Sequence, residues 1–106
     1  MQSQQVAPLL RNYRKLIRSI PDFMPDQPQL RLGLAQLSLD SGDAKSAVRL
    51  LNGLHKEFPT FDRLVEASCL LKKALEALPN MNQQAEKCQV LIDQLKLRYP
   101  EQAVQV

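Results

Sequence analysis

The chain has 106 residues, which is enough for one domain with one modest hydrophobic core. Apolar residues make up 44% and charged residues 24%, as in an ordinary globular domain, and the absence of β-branched runs disfavours a β-sheet. The net charge of +3 is too small to indicate nucleic acid binding by itself. No stretch of the sequence is long and apolar enough to span a membrane, and no signal-peptide pattern opens it.

Apolar residues recur at three- and four-residue spacing, which is typical of amphipathic helices. The pattern predicts five helices, at about residues 6–20, 27–41, 44–58, 61–78 and 83–99. The expected fold class is therefore all-α, with the five helices antiparallel to their neighbours. The first helix has a basic face opposite its apolar face, made of Arg11, Arg14, Lys15 and Arg18.

Residues that favour helix ends lie between the predicted helices. Asp26 is predicted to cap the second helix, and Pro28 to lie in its first turn. Gly42 is predicted to end that helix with a positive φ, and Asp43 to cap the third helix. The turn at Gly42 is short enough to predict an antiparallel helical hairpin.

The last predicted helix has its own boundary signals. Asn80 or Asn82 is expected to cap its start. Pro100 is expected to end it, because proline disfavours helical geometry in the residue before it. The tail from there to residue 106 is expected to be loose.

Three segments of thirteen residues, each ending in proline, repeat the same apolar pattern. They are residues 9–21, 47–59 and 88–100. Matching positions hold Leu9, Ala47 and Cys88; Tyr13, Leu51 and Ile92; Leu16, Leu54 and Leu95; and Ile20, Phe58 and Tyr99. The repetition indicates stacked helical hairpins, because one hairpin cannot bury its apolar faces alone.

Residues 28–61 resemble a tetratricopeptide repeat (TPR). The positions that carry the resemblance are Leu34, Ala35, Ala47, Leu51 and Pro59, together with the turn at residues 42–43. The family's Trp and Tyr positions hold other residues here. The resemblance implies a single domain over residues 1–106, a short right-handed α-α superhelix with a half repeat at 6–20, a good repeat at 28–59 and an irregular repeat at 61–100.

The resemblance also implies a concave groove lined by the leading helix of each repeat. In the good repeat the residues so placed are Gln29, Leu32, Gln36, Leu39 and Asp40. Their mixture of apolar and polar groups suits an extended peptide or a partner helix. The alternative is that another helix of the chain already covers them.

The basic face of the first helix has several interpretations. The first interpretation is that the face is simply exposed to water. The others are that it docks on an acidic protein or lies against an anionic membrane surface. Nucleic acid is a weaker option, because aromatic stacking residues do not accompany the basic cluster. The terminal helices lack polar caps, which makes a second copy of the chain a candidate partner.

No catalytic, cofactor or metal pattern accompanies these features. His55 is the single histidine and lies on a polar face, while Cys69 and Cys88 are expected to be packed, reduced thiols. The sequence therefore predicts a non-catalytic protein-interaction or scaffold module in the cytoplasm, and one form that this module could take is the soluble part of a larger protein or of a protein tethered to a membrane. The alternatives are a small basic nucleic-acid-binding domain and an accessory domain of an enzyme.

Overall fold

The computed structural model describes Lys15 and residues 24–103. Over this part of the chain the regular structure is helical throughout, which confirms the all-α prediction. The helices are α1 Pro28–Asp40, α2 Ala44–Leu51, α3 Leu54–Glu57, α4 Leu64–Glu76, α5 Asn82–Arg98 and α6 Pro100–Ala103. The predicted first helix lies outside the described residues except for Lys15, which is helical and exposed.

Helix α4 is the central element, and every other helix packs against it. Among the helix pairs, α4 and α5 make the most extensive contact. The pair α1 and α2 comes next, followed by the pair α2 and α4. Leu34, Leu50 and Leu64 are among the largest fully buried side chains. Val65 is also fully buried, although the sequence pattern did not assign it to the core.

Small residues lie where α1 and α2 meet. Ala35 and Ala47 both have 0% of their surface exposed, as expected for residues that let two helices approach closely. Leu51 and Leu54 fill the space beside them and are each 2% exposed. Packing of this kind stabilises the pair through the removal of apolar surface from water.

The turn between α1 and α2 has the predicted chemistry. Gly42 adopts a φ of 84°, a left-handed conformation that glycine tolerates best. Asp43 caps α2: its Oδ1 accepts from the Ser46 amide at 3.2 Å, and its Oδ2 accepts from Ser46 Oγ at 2.7 Å. Both turn predictions are therefore confirmed.

The start of α1 differs in part from expectation. Pro28 occupies the first turn, as predicted. The N-cap residue is Gln27, and no side chain caps the helix, so the assignment of Asp26 as the cap is wrong. The chain is instead anchored by Arg31, whose Nε donates a hydrogen bond to the Pro25 carbonyl at 2.6 Å.

The predicted third helix is divided into α2 and α3. Asn52 has an extended backbone with ψ of 123°, and Gly53 has a φ of 77°. Neither conformation continues an α-helix, so α2 ends at Leu51 and α3 begins at Leu54. The apolar spacing continues across the break, which explains why the pattern predicted one helix.

The start of α5 also differs from the predicted cap at Asn80 or Asn82. Asn82 is the first residue of the helix, and the N-cap position is Met81, without a side-chain cap. Asn80 lies in the preceding turn with a φ of 63°, a conformation that asparagine adopts more readily than most residues. Both asparagines therefore belong to the boundary, but neither serves as the predicted cap.

The expectation of a loose tail is wrong for residues 100–103, which form α6. Gln102 is only 4% exposed. Its Nε2 donates to the Phe61 carbonyl at 3.2 Å, and its Oε1 accepts from the Val65 amide at 3.1 Å. The short helix therefore packs on the start of α4, as one more layer after α5.

Candidate functional site

The single histidine does not form part of a polar cluster. His55 is partly buried on α3, and burial, together with the positive charge of Lys56, lowers its pKa. Within residues 24–103 and Lys15, no three His, Cys, Asp or Glu side chains come close enough together to hold a metal ion. None of the helices described here has the length and apolar character required to cross a bilayer.

A groove of about 1010 Å³ lies between α1, α4 and α5 in the described part of the chain. One face of α1 forms the first wall, with residues Gln29, Leu32, Gly33, Gln36, Leu37 and Asp40. The residues of this wall follow the three- and four-residue spacing of a single helix face. We call this feature the α1–α4–α5 groove.

Four of the five residues predicted to line a groove lie in it: Gln29, Leu32, Gln36 and Asp40. Leu32 contributes an edge only, because 5% of it is exposed and the rest belongs to the core. Leu39 lies elsewhere. It borders a separate, small depression beside Ala77 and Leu78, just past the end of α4.

The second wall, which sequence reasoning missed, comes from α4 and α5. Its members are Arg63, Glu66, Cys69, Leu70, Lys72, Lys73, Glu76, Gln89, Ile92 and Lys96. Nothing in the local sequence pattern indicates that these residues lie opposite α1. Only the packing of α4 between α1 and α5 brings the two walls together.

Polar contacts order the walls of the groove. Lys72 Nζ donates to Gln89 Oε1 at 2.7 Å, which joins α4 to α5. On the opposite wall, Gln36 Nε2 donates to Asp40 Oδ1 at 2.8 Å. Arg63 forms an ion pair with Glu66 one turn along the chain. The groove thus has an apolar floor and a rim of polar side chains that already have defined positions.

The two cysteines are free thiols, as predicted. Cys88 is 5% exposed, and its Sγ donates a hydrogen bond to the Ser68 carbonyl at 3.2 Å. Burial raises the pKa of the Cys88 thiol to about 11, so the thiol is neutral at physiological pH. Cys69 is partly exposed and faces the groove.

The remaining predicted interaction residues belong to the basic face of the first helix. Arg11, Arg14 and Arg18 lie outside the residues that the structure describes, and Lys15 is exposed. No protein-family model, curated protein or solved structure significantly matches the chain.

Proposed function

We propose that this chain is a non-catalytic, TPR-like interaction module that binds a segment of a partner protein in the α1–α4–α5 groove. The observation that carries the proposal is the groove itself, because four residues selected from the sequence pattern line one of its walls. A volume of about 1010 Å³ is large enough for several side chains of an extended or helical segment.

Two long-range contacts support an antiparallel, repeat-like arrangement of the helices. Arg31, near the start of α1, forms a bidentate ion pair with Glu57, which follows α2 along the chain. Tyr99, just past the end of α5, donates a hydrogen bond to the Pro59 carbonyl, just before α4. In both cases the beginning of one helix, or the segment just before it, lies beside the end of a helix that follows along the chain. This is the arrangement found in antiparallel helical hairpins.

The two hairpins also share equivalent buried positions. Ala47 and Cys88 are 0% and 5% exposed, and Leu54 and Leu95 are 2% and 6% exposed. These are matching members of the thirteen-residue segments at 47–59 and 88–100. Their similar burial supports a repeated unit, although the second segment is one continuous helix and the first is broken at Gly53.

The groove suggests how a partner is recognised. Leu37, which is partly exposed, supplies apolar contact for side chains of the partner, and Leu70 adds a small apolar edge. Gln29 and Gln36 are exposed on the α1 wall and offer amide groups, which bind polar side chains or an extended backbone. The rigid core beneath the walls lowers the entropic cost of forming the complex.

A selection from a random peptide library tests the proposal. Peptides that bind the wild-type protein are isolated, and their dissociation constants are measured for two double variants. The groove variant carries Gln29→Trp and Gln36→Trp, which place two indole rings between the walls. The control carries Gln83→Trp and Gln94→Trp, at exposed α5 positions outside the groove.

We expect the groove variant to bind the selected peptides about tenfold more weakly or worse, whereas the control retains wild-type affinity. Circular dichroism verifies that both variants remain folded. Equal affinity of the two variants, or a library that yields no binder, contradicts the proposal. Binding that disappears for both variants shows attachment outside the groove and contradicts it as well.

A further inference from the structure

A second concave feature lies on the other side of α4. It is an apolar notch of about 380 Å³ between α2 and α5, and the α4 residues Leu71 and Leu75 form its floor. Both α2 and α5 pack on α4 but make few contacts with each other, which leaves the notch open between them. Its volume lies near the lower end of the range for small-molecule pockets.

The other residues that line the notch form two groups, one apolar and one polar. Val48, Met81 and Leu91 extend the apolar surface. At the rim lie Asn52, Gln84 and Lys87, and Lys87 is the single charged residue among the described residues that line the notch. None of the described residues that line the notch carries a carboxylate. The notch is therefore suited to a ligand with an apolar body and one negative charge.

The polar groups of the rim are available for a ligand. Asn52, Gln84 and Lys87 are exposed, and within the described part of the chain none of their side chains engages in a hydrogen bond or ion pair. A bound anion would gain a charge-assisted hydrogen bond from the ammonium group and neutral donors from the two amides. It would not have to displace an internal partner.

We propose that the notch binds a free medium-chain monocarboxylate, with the hydrocarbon chain over Leu71 and Leu75 and the carboxylate at Lys87. The apolar floor removes the chain from water, which provides the main driving force. The lysine selects a carboxylate over an ammonium group of the same chain length. This site is separate from the α1–α4–α5 groove, and the inference does not depend on the peptide-binding proposal.

Octanoate is the probe, and octanol and octylammonium are matched ligands that differ in the head group alone. Titration of isotope-labelled protein by NMR should shift the amide signals of Val48, Leu75, Met81 and Leu91. We expect octanoate to bind most tightly and octylammonium most weakly. Hexanoate, which lacks two methylene groups, should bind about tenfold more weakly than octanoate.

Variants of the protein distinguish the contribution of the ligand's head group to affinity from that of its hydrocarbon chain. Lys87→Gln should weaken octanoate by about fivefold and leave octanol unchanged, because a partly exposed ion pair contributes modestly. Lys56→Gln, at an exposed lysine outside the notch, is the matched control and should bind like wild type. Val48→Phe should fill the notch and abolish the binding of all the ligands.

Alkylation of the thiols provides a readout on wild-type protein. Cys88 lines the notch, whereas Cys69 faces the groove on the other side of α4. Because the Cys88 thiol is buried and neutral, its labelling by iodoacetamide requires a local opening at the notch; octanoate at saturation should slow that labelling at least threefold and leave that of Cys69 unchanged. Mass spectrometry of the two cysteine peptides measures both rates.

Three outcomes overturn the proposal. The first is no change in the NMR spectrum at millimolar octanoate. The second is a set of shifts that spreads over the surface and persists equally in Lys87→Gln and Lys56→Gln. The third is equal affinity for octanoate, octanol and octylammonium, which would leave an apolar depression without head-group selectivity. The wild-type titration alone decides the first and third outcomes, so an unfolded Val48→Phe variant would not prevent a decision.

Discussion

At the scale of single residues, Arg31 is the one charged side chain that is buried among the residues the structure describes. It is 5% exposed, yet its guanidinium forms a bidentate pair with Glu57 at 2.7 and 2.9 Å. The same group lies 5.0 Å from the centroid of the Phe58 ring. Arginine suits this place because its planar donors satisfy a carboxylate and a carbonyl while its face stacks on an aromatic ring.

The Arg31–Glu57 pair predicts how stability depends on acidity. The hydrogen bonds from Arg31 lower the pKa of Glu57, so the carboxylate is more easily ionised in the folded than in the unfolded chain. Its stabilising contribution is therefore present above the ordinary glutamate pKa of about 4.3 and is lost as the pH falls through the lower, folded value.

We expect Glu57→Gln to lose less stability than wild type when the pH is lowered from about 6 to about 3. Urea denaturation at a series of pH values measures this difference. Glu86→Gln is the control, since Glu86 is exposed on α5 and has no ion pair within residues 24–103. If the acid sensitivity of Glu57→Gln equals that of wild type, the ion pair does not contribute to folding in solution.

At the scale of the elements, helix ends are stabilised by residues that lie far away along the chain. Helix α4 has no side-chain cap from its own N-terminal residues. The side-chain Oε1 of Gln102, which lies 37 positions after Val65, accepts a hydrogen bond from the backbone N–H of Val65. This N–H is one of the donors that the start of a helix leaves unpaired. Helix α6 therefore caps the start of α4.

Replacement of Gln102 by methionine should lower the free energy of unfolding by about 1–2 kcal/mol. Methionine keeps the length and apolar contacts of the side chain but leaves the Val65 amide and the Phe61 carbonyl without their partner. Urea denaturation provides the measurement. Gln94→Met, at an exposed α5 position, is the matched control and should change stability by about 0.5 kcal/mol or less. Equal losses in the two variants would show that Gln102 does not act as a cap.

At the scale of the whole molecule, α4 separates two concave surfaces of different chemistry. The α1–α4–α5 groove on one side has charged walls, while the notch on the other has an apolar floor and one lysine. Both surfaces depend on the distance of α1 and α2 from α4. Ala35 and Ala47 are fully buried, so a larger side chain at either position would disturb the packing of α1 and α2 on which both surfaces depend.

Ala47→Leu should destabilise the fold by about 1–3 kcal/mol, because the added atoms must displace a closely packed neighbour. The control is Ala77→Leu, at an exposed position just after α4. Thermal or urea unfolding compares the two variants with wild type. A stability of Ala47→Leu equal to that of the control would show that α1 and α2 do not approach closely at this position.

Sequence reasoning succeeded where a short stretch of chain carries the whole physical cause. Helical periodicity located the long helices, and the turn at Gly42 and the cap at Asp43 were recognised because both act within four residues. The groove was expected from the resemblance to a tetratricopeptide repeat, and Gln29 and Gln36, which that resemblance placed in it, do line the α1 wall. Helical periodicity failed at Gly53, because the apolar spacing continues through a glycine that the backbone uses to break the helix.

By itself, the sequence therefore determined the helical class and most helix positions, because periodicity, turn glycines and capping residues act locally. The tertiary structure decided the second wall, the cap from Gln102, the Arg31–Glu57 pair and the notch. Each of these joins residues that are distant along the chain. Their proximity depends on how the helices pack against α4, and no local pattern encodes that geometry.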